Sequence, residues 1–134
     1  MVPLSKKFSL DQIPDLSGKV YIVTGGATGI GYETTIALLH HNAKVYIASR
    51  SQSKFDDVVT KGKAILPRVQ ADNLKFLKLD LSDIRECVVA AKRFLEGEER
   101  LDCVVTNAAL SIMPCVLSPD GYEIQFATNV RVDL

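Results

Sequence analysis

The chain has 134 residues, enough for one domain with its own hydrophobic core. Its 16 basic and 16 acidic residues balance, so no long-range field favours nucleic acid or an anionic membrane. The uncharged run 103–119 contains two prolines and several polar residues, which excludes a membrane-spanning helix there. Three scattered cysteines, and no apolar leader after Lys6-Lys7, favour a reducing, cytoplasmic location without disulfides.

The first strong signal is a strand, a glycine-rich turn and a helix in direct succession. The run Val20-Tyr21-Ile22-Val23 predicts a strand, and glycines follow at positions 25, 26, 29 and 31. A helix is predicted over 30–41, with Asn42 suited to the left-handed position after it. Because a helix N-terminus gathers unpaired amides and glycine admits an anion closely, this succession predicts a phosphate-binding turn. The alternative is a glycine-rich turn without a ligand.

Two histidines, His40 and His41, fall in the last turn of this helix. A cation there complements the helix dipole, so this local role is favoured over a metal-binding or catalytic one. No metal site is predicted.

The second strand, 44–48, ends in a basic cluster. A dinucleotide fold brings the residues after this strand to the adenosine ribose, where an acid would select NAD(H). Here Ser49, Arg50 and Ser51 follow, with Lys54 one turn later. A guanidinium suits a 2′-phosphate by charge and geometry, so we expect NADP(H). The alternative is a solvated basic cluster at a helix start.

The rest of the chain continues to alternate helices and strands. Helices are predicted over 53–66 (closed by Pro67), 83–96 and 122–134, strands over 74–79 and 101–105, and a turn over 118–121. This order predicts an α/β fold, a Rossmann-type doubly wound parallel sheet truncated after about four strands, in the spatial order 3-2-1-4.

Several side chains are assigned to the core or to the surface. Expected core residues are Val58, Val59 and Ile65, then the stripe Ile84, Cys87, Val88, Ala91, Phe94 and Leu95, and finally Ile124, Ala127 and either Phe126 or Val130. Cys103 is expected to be buried and Cys115 exposed. Asp80 or Ser82 is a candidate N-cap for the third helix.

Two motifs carry a resemblance to a known family. Thr24-Gly25-xxx-Gly29-Ile30-Gly31 resembles the TGxxxGIG motif of the short-chain dehydrogenase/reductase family. The segment 106–109 resembles that family's NNAG motif in register, but Thr106 and Ala109 depart from it. The resemblance covers 18–129 and is strongest to retinol-dehydrogenase-like and fungal members. It implies hydride transfer between nicotinamide C4 and a carbonyl or alcohol carbon, with lipids, retinoids or secondary metabolites as substrates.

The resemblance, together with the basic cluster, assigns roles to individual residues. In the family, Asp80 would accept from the adenine amino group, Asn107 would pin the end of the fourth strand, and Asn129 would hold a water in the catalytic proton relay. The full set of expected cofactor contacts is Gly25, Thr28, Gly29, Ile30, Gly31, Ser49, Arg50, Lys54, Asp80, Leu81, Asn107, Ala108 and Arg131.

The family's catalytic serine, and its tyrosine with a lysine four residues later, follow the asparagine helix. None of the four tyrosines here, at positions 21, 32, 46 and 122, has a lysine at that spacing. We therefore expect residues 1–17 to be a lead-in and 18–134 an incomplete NADP-binding domain, truncated before its catalytic half and inactive as it stands. The alternative is a non-catalytic NADP(H)-binding or interaction module. The open edge of the fourth strand predicts self-association.

Overall fold

The computed structural model describes residues 8–65 and 73–130, and the side chains of all of these except 63–65. A short 3-10 helix, Leu10–Gln12, precedes the alternating elements. These are β1 (Val20–Thr24), α1 (Gly29–His40), β2 (Lys44–Ser49), α2 (Gln52–Ile65), β3 (Leu74–Lys78), α3 (Ile84–Gly97), β4 (Cys103–Val105) and α4 (Ile124–Asn129).

The four strands form one parallel sheet in the order β3-β2-β1-β4. The predicted fold class and strand order are therefore confirmed. Strands β2 and β3 lie to one side of β1, whereas β4 lies on its other side. At this reversal of strand order, between β1 and β4, a crevice opens at the carboxyl ends of the strands. That crevice positions the candidate site.

Apolar residues cover both faces of the sheet. On one face α1 and α2 contribute Ile36, Leu39 and Val58 to a cluster with Val23 and Ile47 of the strands. The strand side chains are completely buried, at 0 % exposure for Val23 and Ile47. On the other face α3 packs its Cys87, Ala90 and Phe94 against residues that include Val20, Ile22 and Leu77. Helices on both faces make the sheet doubly wound, as predicted.

The predicted apolar stripe of α3 is only partly buried. Cys87 and Phe94 are buried, but Val88 is 53 % exposed, Leu95 is 70 % exposed, and Ala91 is exposed, while Ala90 is buried instead. In residues 8–65 and 73–130 the sheet ends at β4, so it covers only one side of the stripe. Cys103 is exposed rather than buried for the same reason, because β4 is paired on one side only. Cys115 is exposed as predicted.

Other expectations near chain turns have mixed outcomes. Asn42 is left-handed, with φ of 70°, and the Gly121 amide closes the predicted turn on the Ser118 carbonyl at 2.9 Å. The N-cap of α3 is Asp83, whose side chain accepts from the Arg85 amide, so neither Asp80 nor Ser82 is the cap.

On α4, Ala127 is buried, but both alternatives for an inward residue are wrong: Phe126 is 48 % exposed and Val130 is 66 % exposed. Ala127 and Thr128 are the buried residues of this helix.

On α2, Val58 is buried as expected, and Val59 is partly buried against the cluster that α1 and α2 form with the sheet. The side chain of Ile65, the end of the second helix at 66–67, and residues 131–134 lie outside the described part of the structure.

Within the described ranges, no helix is long and apolar enough to cross a membrane.

Candidate functional site

A cavity of about 340 Å³ lies at the carboxyl ends of the strands, over the crevice between β1 and β4. It brings together most of the predicted contact residues, namely Gly25, Thr28, Ser49, Arg50, Lys54, Asp80, Leu81, Asn107 and Ala108. Gly29 lies beside it, in an adjoining cavity of about 220 Å³ that Thr28 and Lys54 share. Ile30 is 79 % exposed and lines neither cavity, and Arg131 lies outside the described residues.

The turn between β1 and α1 needs glycine for two separate reasons. Gly25 and Gly29 have φ of +64° and +53°, in the left-handed region that disfavours side chains. A Cβ at Gly25 would also lie 3.2 Å from the Cα of Ala108, so the backbones of the two loops approach closely. A Cβ at Gly29 would meet nothing within 4 Å. The positive φ, and not packing, therefore favours glycine at position 29.

Within the part of the chain that the structure describes, the N-terminus of α1 has no side-chain cap. Thr28 occupies the N-cap position, but its side chain makes no capping hydrogen bond, and the first turn holds no acidic residue. Most helices satisfy these first amides with a side-chain oxygen. Here the amides and the positive end of the helix dipole stay available to a negatively charged ligand.

Thr24, which was not among the predicted site residues, joins the ends of β1 and β4. It is 2 % exposed, and its hydroxyl oxygen accepts from the amides of Asn107 and Ala108 at 3.0 Å each. In return the side-chain amide of Asn107 donates to the Thr24 carbonyl at 3.0 Å. Asn107 thus pins the strand end, as expected. A threonine at the end of an otherwise apolar buried strand is the sequence signal that could have identified Thr24.

Two free cations flank the cavity after β2. The Arg50 guanidinium and the Lys54 ammonium have no hydrogen-bond or ion-pair partner among the described residues, and both side chains are exposed. Ser51 fixes the start of α2, since its hydroxyl oxygen accepts from the Lys54 amide at 3.3 Å. The arrangement offers positive charge near the positive end of α2, which is unfavourable unless an anion binds there.

Asp80, after β3, is held in place by Ser82. One carboxylate oxygen accepts from the Ser82 amide at 3.0 Å and from its hydroxyl at 2.7 Å. The other oxygen has no partner among residues 8–65 and 73–130. Asp80 therefore presents a fixed, unused acceptor at the edge of the cavity.

Asn129 is committed to the loop after β4. Its side-chain oxygen accepts from the Leu110 amide at 2.7 Å, and its side-chain nitrogen donates to the Leu110 carbonyl at 2.8 Å. This pair ties α4 to the loop that carries Asn107 and Ala108. Asn129 does not line the cavity, and the expectation that it holds a catalytic water stays a prediction.

The cavity also includes residues that sequence reasoning did not assign to the site. Leu110 and Thr128 are among its lining residues. The Thr128 side chain is 7 % exposed, and its hydroxyl oxygen has no hydrogen-bond partner in the described structure. Nothing in the sequence around Thr128 distinguishes it from an ordinary helix residue.

Comparison with known proteins places this chain in a family. The family model for short chain dehydrogenase matches residues 19–131. A short-chain dehydrogenase/reductase of Armillaria gallica is 44 % identical over 131 residues, which is 97 % of this chain and 41 % of that protein. An uncharacterized oxidoreductase of Schizosaccharomyces pombe is 42 % identical over 123 residues, covering 92 % of this chain and 35 % of the relative.

Solved structures agree in fold. The complex of Pseudomonas aeruginosa RhlG with NADP superposes with a TM-score of 0.67 and 29 % identity, covering 87 % of this chain and 44 % of that one. A Brucella melitensis 3-ketoacyl-(acyl-carrier-protein) reductase complexed with NADH gives a TM-score of 0.68 at 24 % identity, covering 87 % of this chain and 46 % of that one. The chain therefore spans less than half the length of these proteins.

Proposed function

This chain belongs to the short-chain dehydrogenase/reductase family, and we propose that it binds NADP(H) as the cofactor-binding part of an oxidoreductase. The family binds nicotinamide dinucleotides, which supply or accept the hydride when bound. The observation that carries the proposal is the glycine turn that opens onto the uncapped N-terminus of α1, beside a 340 Å³ cavity.

The residues around the cavity fit the parts of such a dinucleotide. The turn at Gly25 and Gly29 would hold the diphosphate, and the free cations Arg50 and Lys54 would hold the 2′-phosphate. The unused acceptor of Asp80 suits the adenine amino group. Ala108, at the end of β4, would lie beside the nicotinamide ribose, where a small side chain lets the sugar approach.

The choice of NADP(H) over NAD(H) rests on Arg50 and Lys54. The absence of an acid after β2 removes the group that would accept from a 2′-hydroxyl and repel a 2′-phosphate. Structural neighbours do not decide the matter, because RhlG is complexed with NADP and the Brucella reductase with NADH.

Titration calorimetry with NADPH and NADH tests this preference. Wild type should bind NADPH more tightly. Arg50→Ala should weaken NADPH binding about tenfold or more, the value of a charge-assisted hydrogen bond, and leave NADH binding unchanged. Arg93→Ala, at an exposed arginine on α3, is the matched control and should change neither affinity. Equal affinity for both nucleotides in wild type, or an unchanged NADPH affinity in Arg50→Ala, would refute the phosphate assignment.

The proposed reaction of the whole oxidoreductase is hydride transfer to or from a carbonyl or alcohol carbon, with a lipid or secondary metabolite as substrate. The 134 residues contain no tyrosine with a lysine four positions later. A missing proton donor of this kind typically costs a factor of about 10²–10⁴. We therefore propose that this chain binds the cofactor without turning substrate over.

A second candidate is a non-catalytic NADP(H)-binding or interaction module. The free edge of β4 favours it, since an unpaired parallel strand is a surface for association. Both candidates predict that this chain does not turn substrate over, and an assay of NADPH oxidation with a panel of aldehydes and ketones tests that shared prediction, because turnover would contradict both. A cytoplasmic location stays a prediction from the three unpaired cysteines.

A further inference from the structure

We propose that residues 111–115, which we call the strap, close onto helix α4 when the cofactor binds. Occupancy of the cavity would then control an apolar surface that lies outside it. The inference rests on the proposed function and extends it to a segment that lines neither the cofactor cavity nor the adjoining one.

Among the described residues, the strap is held at its two ends, and α4 holds both. At one end, the Asn129 side chain accepts from the Leu110 amide at 2.7 Å and donates to the Leu110 carbonyl at 2.8 Å. At the other end, the Ile124 amide donates to the Val116 carbonyl at 2.9 Å. Between these anchors, none of residues 111–115 makes a hydrogen bond within the described ranges, and all five are exposed. Such a segment changes conformation at little cost while its ends stay fixed.

Ile112, inside the strap, has a strained backbone. Its φ is +39°, in the left-handed region, where a β-branched side chain is unfavourable. Its side chain is 97 % exposed, so no packing offsets that cost. Strained backbones cluster at ligand clamps and switch segments, where a change of state releases the strain. Relaxation of Ile112 is therefore available to favour a second conformation of the strap.

The first anchor connects the strap to the cofactor cavity. Leu110 is held by Asn129 and also lines the cavity, together with Ala108 and Ala109. A ligand that contacts this lining acts directly on one end of the strap. Because a ligand shifts a conformational equilibrium only through its different affinities for the two states, Leu110 is the residue at which that difference arises.

Helix α4 offers the strap an apolar surface. Phe126 comes two residues after Ile124 and three before Asn129, so it lies between the two anchors, on the face of the helix next to Asn129. Its side chain is 48 % exposed, which leaves apolar surface for a second side chain to cover. In the closed state Ile112 packs on Phe126 and its backbone relaxes.

Fluorescence of a labelled strap tests the closure. Cys115 is exposed, so an environment-sensitive fluorophore is attached there in a Cys103→Ser background, which removes the other exposed thiol. Saturation with NADP+ should shift the emission to shorter wavelength, because closure brings the label into less polar surroundings. The same fluorophore on Cys103, in a Cys115→Ser background, is the control and should keep its emission, since Cys103 begins β4. Unchanged emission of the Cys115 label at saturation would overturn the inference.

Calorimetry with NADP+ tests the coupling. Ile112→Gly removes the strain of the open state and the side chain that the closed state buries, so binding should weaken about three- to tenfold. Met113→Gly is the matched control, because it adds the same flexibility at a residue whose φ is not positive, and should weaken binding far less. Wild-type affinity in Ile112→Gly would also overturn the inference. Failure of wild type to bind NADP+ would instead overturn the proposed function, and the inference with it, so the two failures are distinguishable.

Discussion

Position 31 requires glycine because any side chain there would displace neighbouring atoms of the site. A Cβ there would lie 2.5 Å from both the side-chain nitrogen of Asn107 and the carbonyl oxygen of Gly25. Neither atom can withdraw freely, because that nitrogen is bonded to the Thr24 carbonyl and the other belongs to the glycine turn. Packing, rather than backbone conformation, therefore requires glycine at this position.

Gly31→Ala should cost about 1–3 kcal/mol in the free energy of unfolding, as overpacking does, and should weaken NADPH binding by displacing the turn. Gly97→Ala is the control, since a Cβ at Gly97 meets nothing within 4 Å. Urea denaturation and NADPH titration of both variants measure the two effects. Wild-type stability and affinity in Gly31→Ala would contradict the described packing of the turn.

Residue-scale prediction from sequence worked where a backbone conformation or a motif imposes the residue type. Gly25, Gly29 and Asn42 have the left-handed angles that their types suggested. It did not assign a role to Thr24, although its place at the end of an apolar strand marks it, because the two amides that its hydroxyl joins lie 83 and 84 positions further along the chain. The residues next to a position in the sequence do not indicate hydrogen-bond partners that lie so far along the chain.

At the scale of elements, the ends of β1 and β4 are joined through the Thr24 hydroxyl and the Asn107 side chain. The Thr24 oxygen accepts from two amides of the loop after β4, and that loop is fixed again by Asn129 on α4. The floor of the cavity is thus held by side chains rather than by further strand pairing.

The Thr24→Val substitution keeps the shape of the side chain but removes its hydroxyl oxygen. The amides of Asn107 and Ala108 then lose the acceptor of their hydrogen bonds. We expect a loss of about 1–3 kcal/mol in the free energy of unfolding, measured by urea denaturation. Thr60→Val, whose exposed hydroxyl donates only within its own helix, should lose far less. Equal losses in the two variants would argue against the described junction.

At their amino ends, the same two strands are joined by charged side chains. Asp102 accepts from the Val20 amide at 2.9 Å and pairs with Lys19 at 3.1 Å and with Arg100. The Arg100 guanidinium first, then the Val20 amide and Lys19, hold the pKa of the Asp102 carboxyl well below its ordinary value of 3.8. Its stabilising contribution is therefore complete above that ordinary value and is lost as pH falls through the lowered one.

Urea midpoints measured from pH 7 down to pH 2 test this. We expect little change due to Asp102 at neutral pH and a progressive fall below about pH 4. In Asp102→Asn the midpoint should be lower at pH 7 and should fall less on acidification. Asp11→Asn, at an exposed carboxylate on the 3-10 helix, is the control. Identical acid profiles for Asp102→Asn and wild type would contradict the assignment.

Prediction of elements from sequence succeeded for order and type, because glycine turns and apolar periodicity are local. It failed for exposure at the sheet edge. The stripe of α3 and the position of Cys103 both suggested burial, but Leu95 and Cys103 are exposed, since no strand among the described residues pairs with the outer side of β4. Periodicity shows which surface an element can bury, whereas the neighbouring elements determine how much of it is buried.

At the scale of the whole molecule, an apolar groove of about 250 Å³ runs between α3 and β4. Ala91, Leu95, Leu101 and Val104 are among its lining residues, and Leu95 is 70 % exposed. Together with the free edge of β4, this groove is the surface through which we propose that the chain self-associates.

Leu95→Lys should reduce concentration-dependent association, because a charge on the groove opposes its burial against a second copy. Leu10→Lys, an equally drastic change at an exposed leucine before β1, should not. Sedimentation velocity over a range of concentrations makes the comparison. A wild-type chain that stays monomeric throughout would refute self-association.

The central claim is that the glycine turn at the head of α1 binds the diphosphate of a nicotinamide dinucleotide. Amide chemical shifts during an NADPH titration, recorded by 1H–15N correlation spectroscopy, test it most directly. We expect saturable shifts of the amides of Gly29, Ile30 and Gly31, larger than those in the 3-10 helix Leu10–Gln12. Saturation elsewhere with these three amides unmoved, or no saturable shift at all, would contradict it.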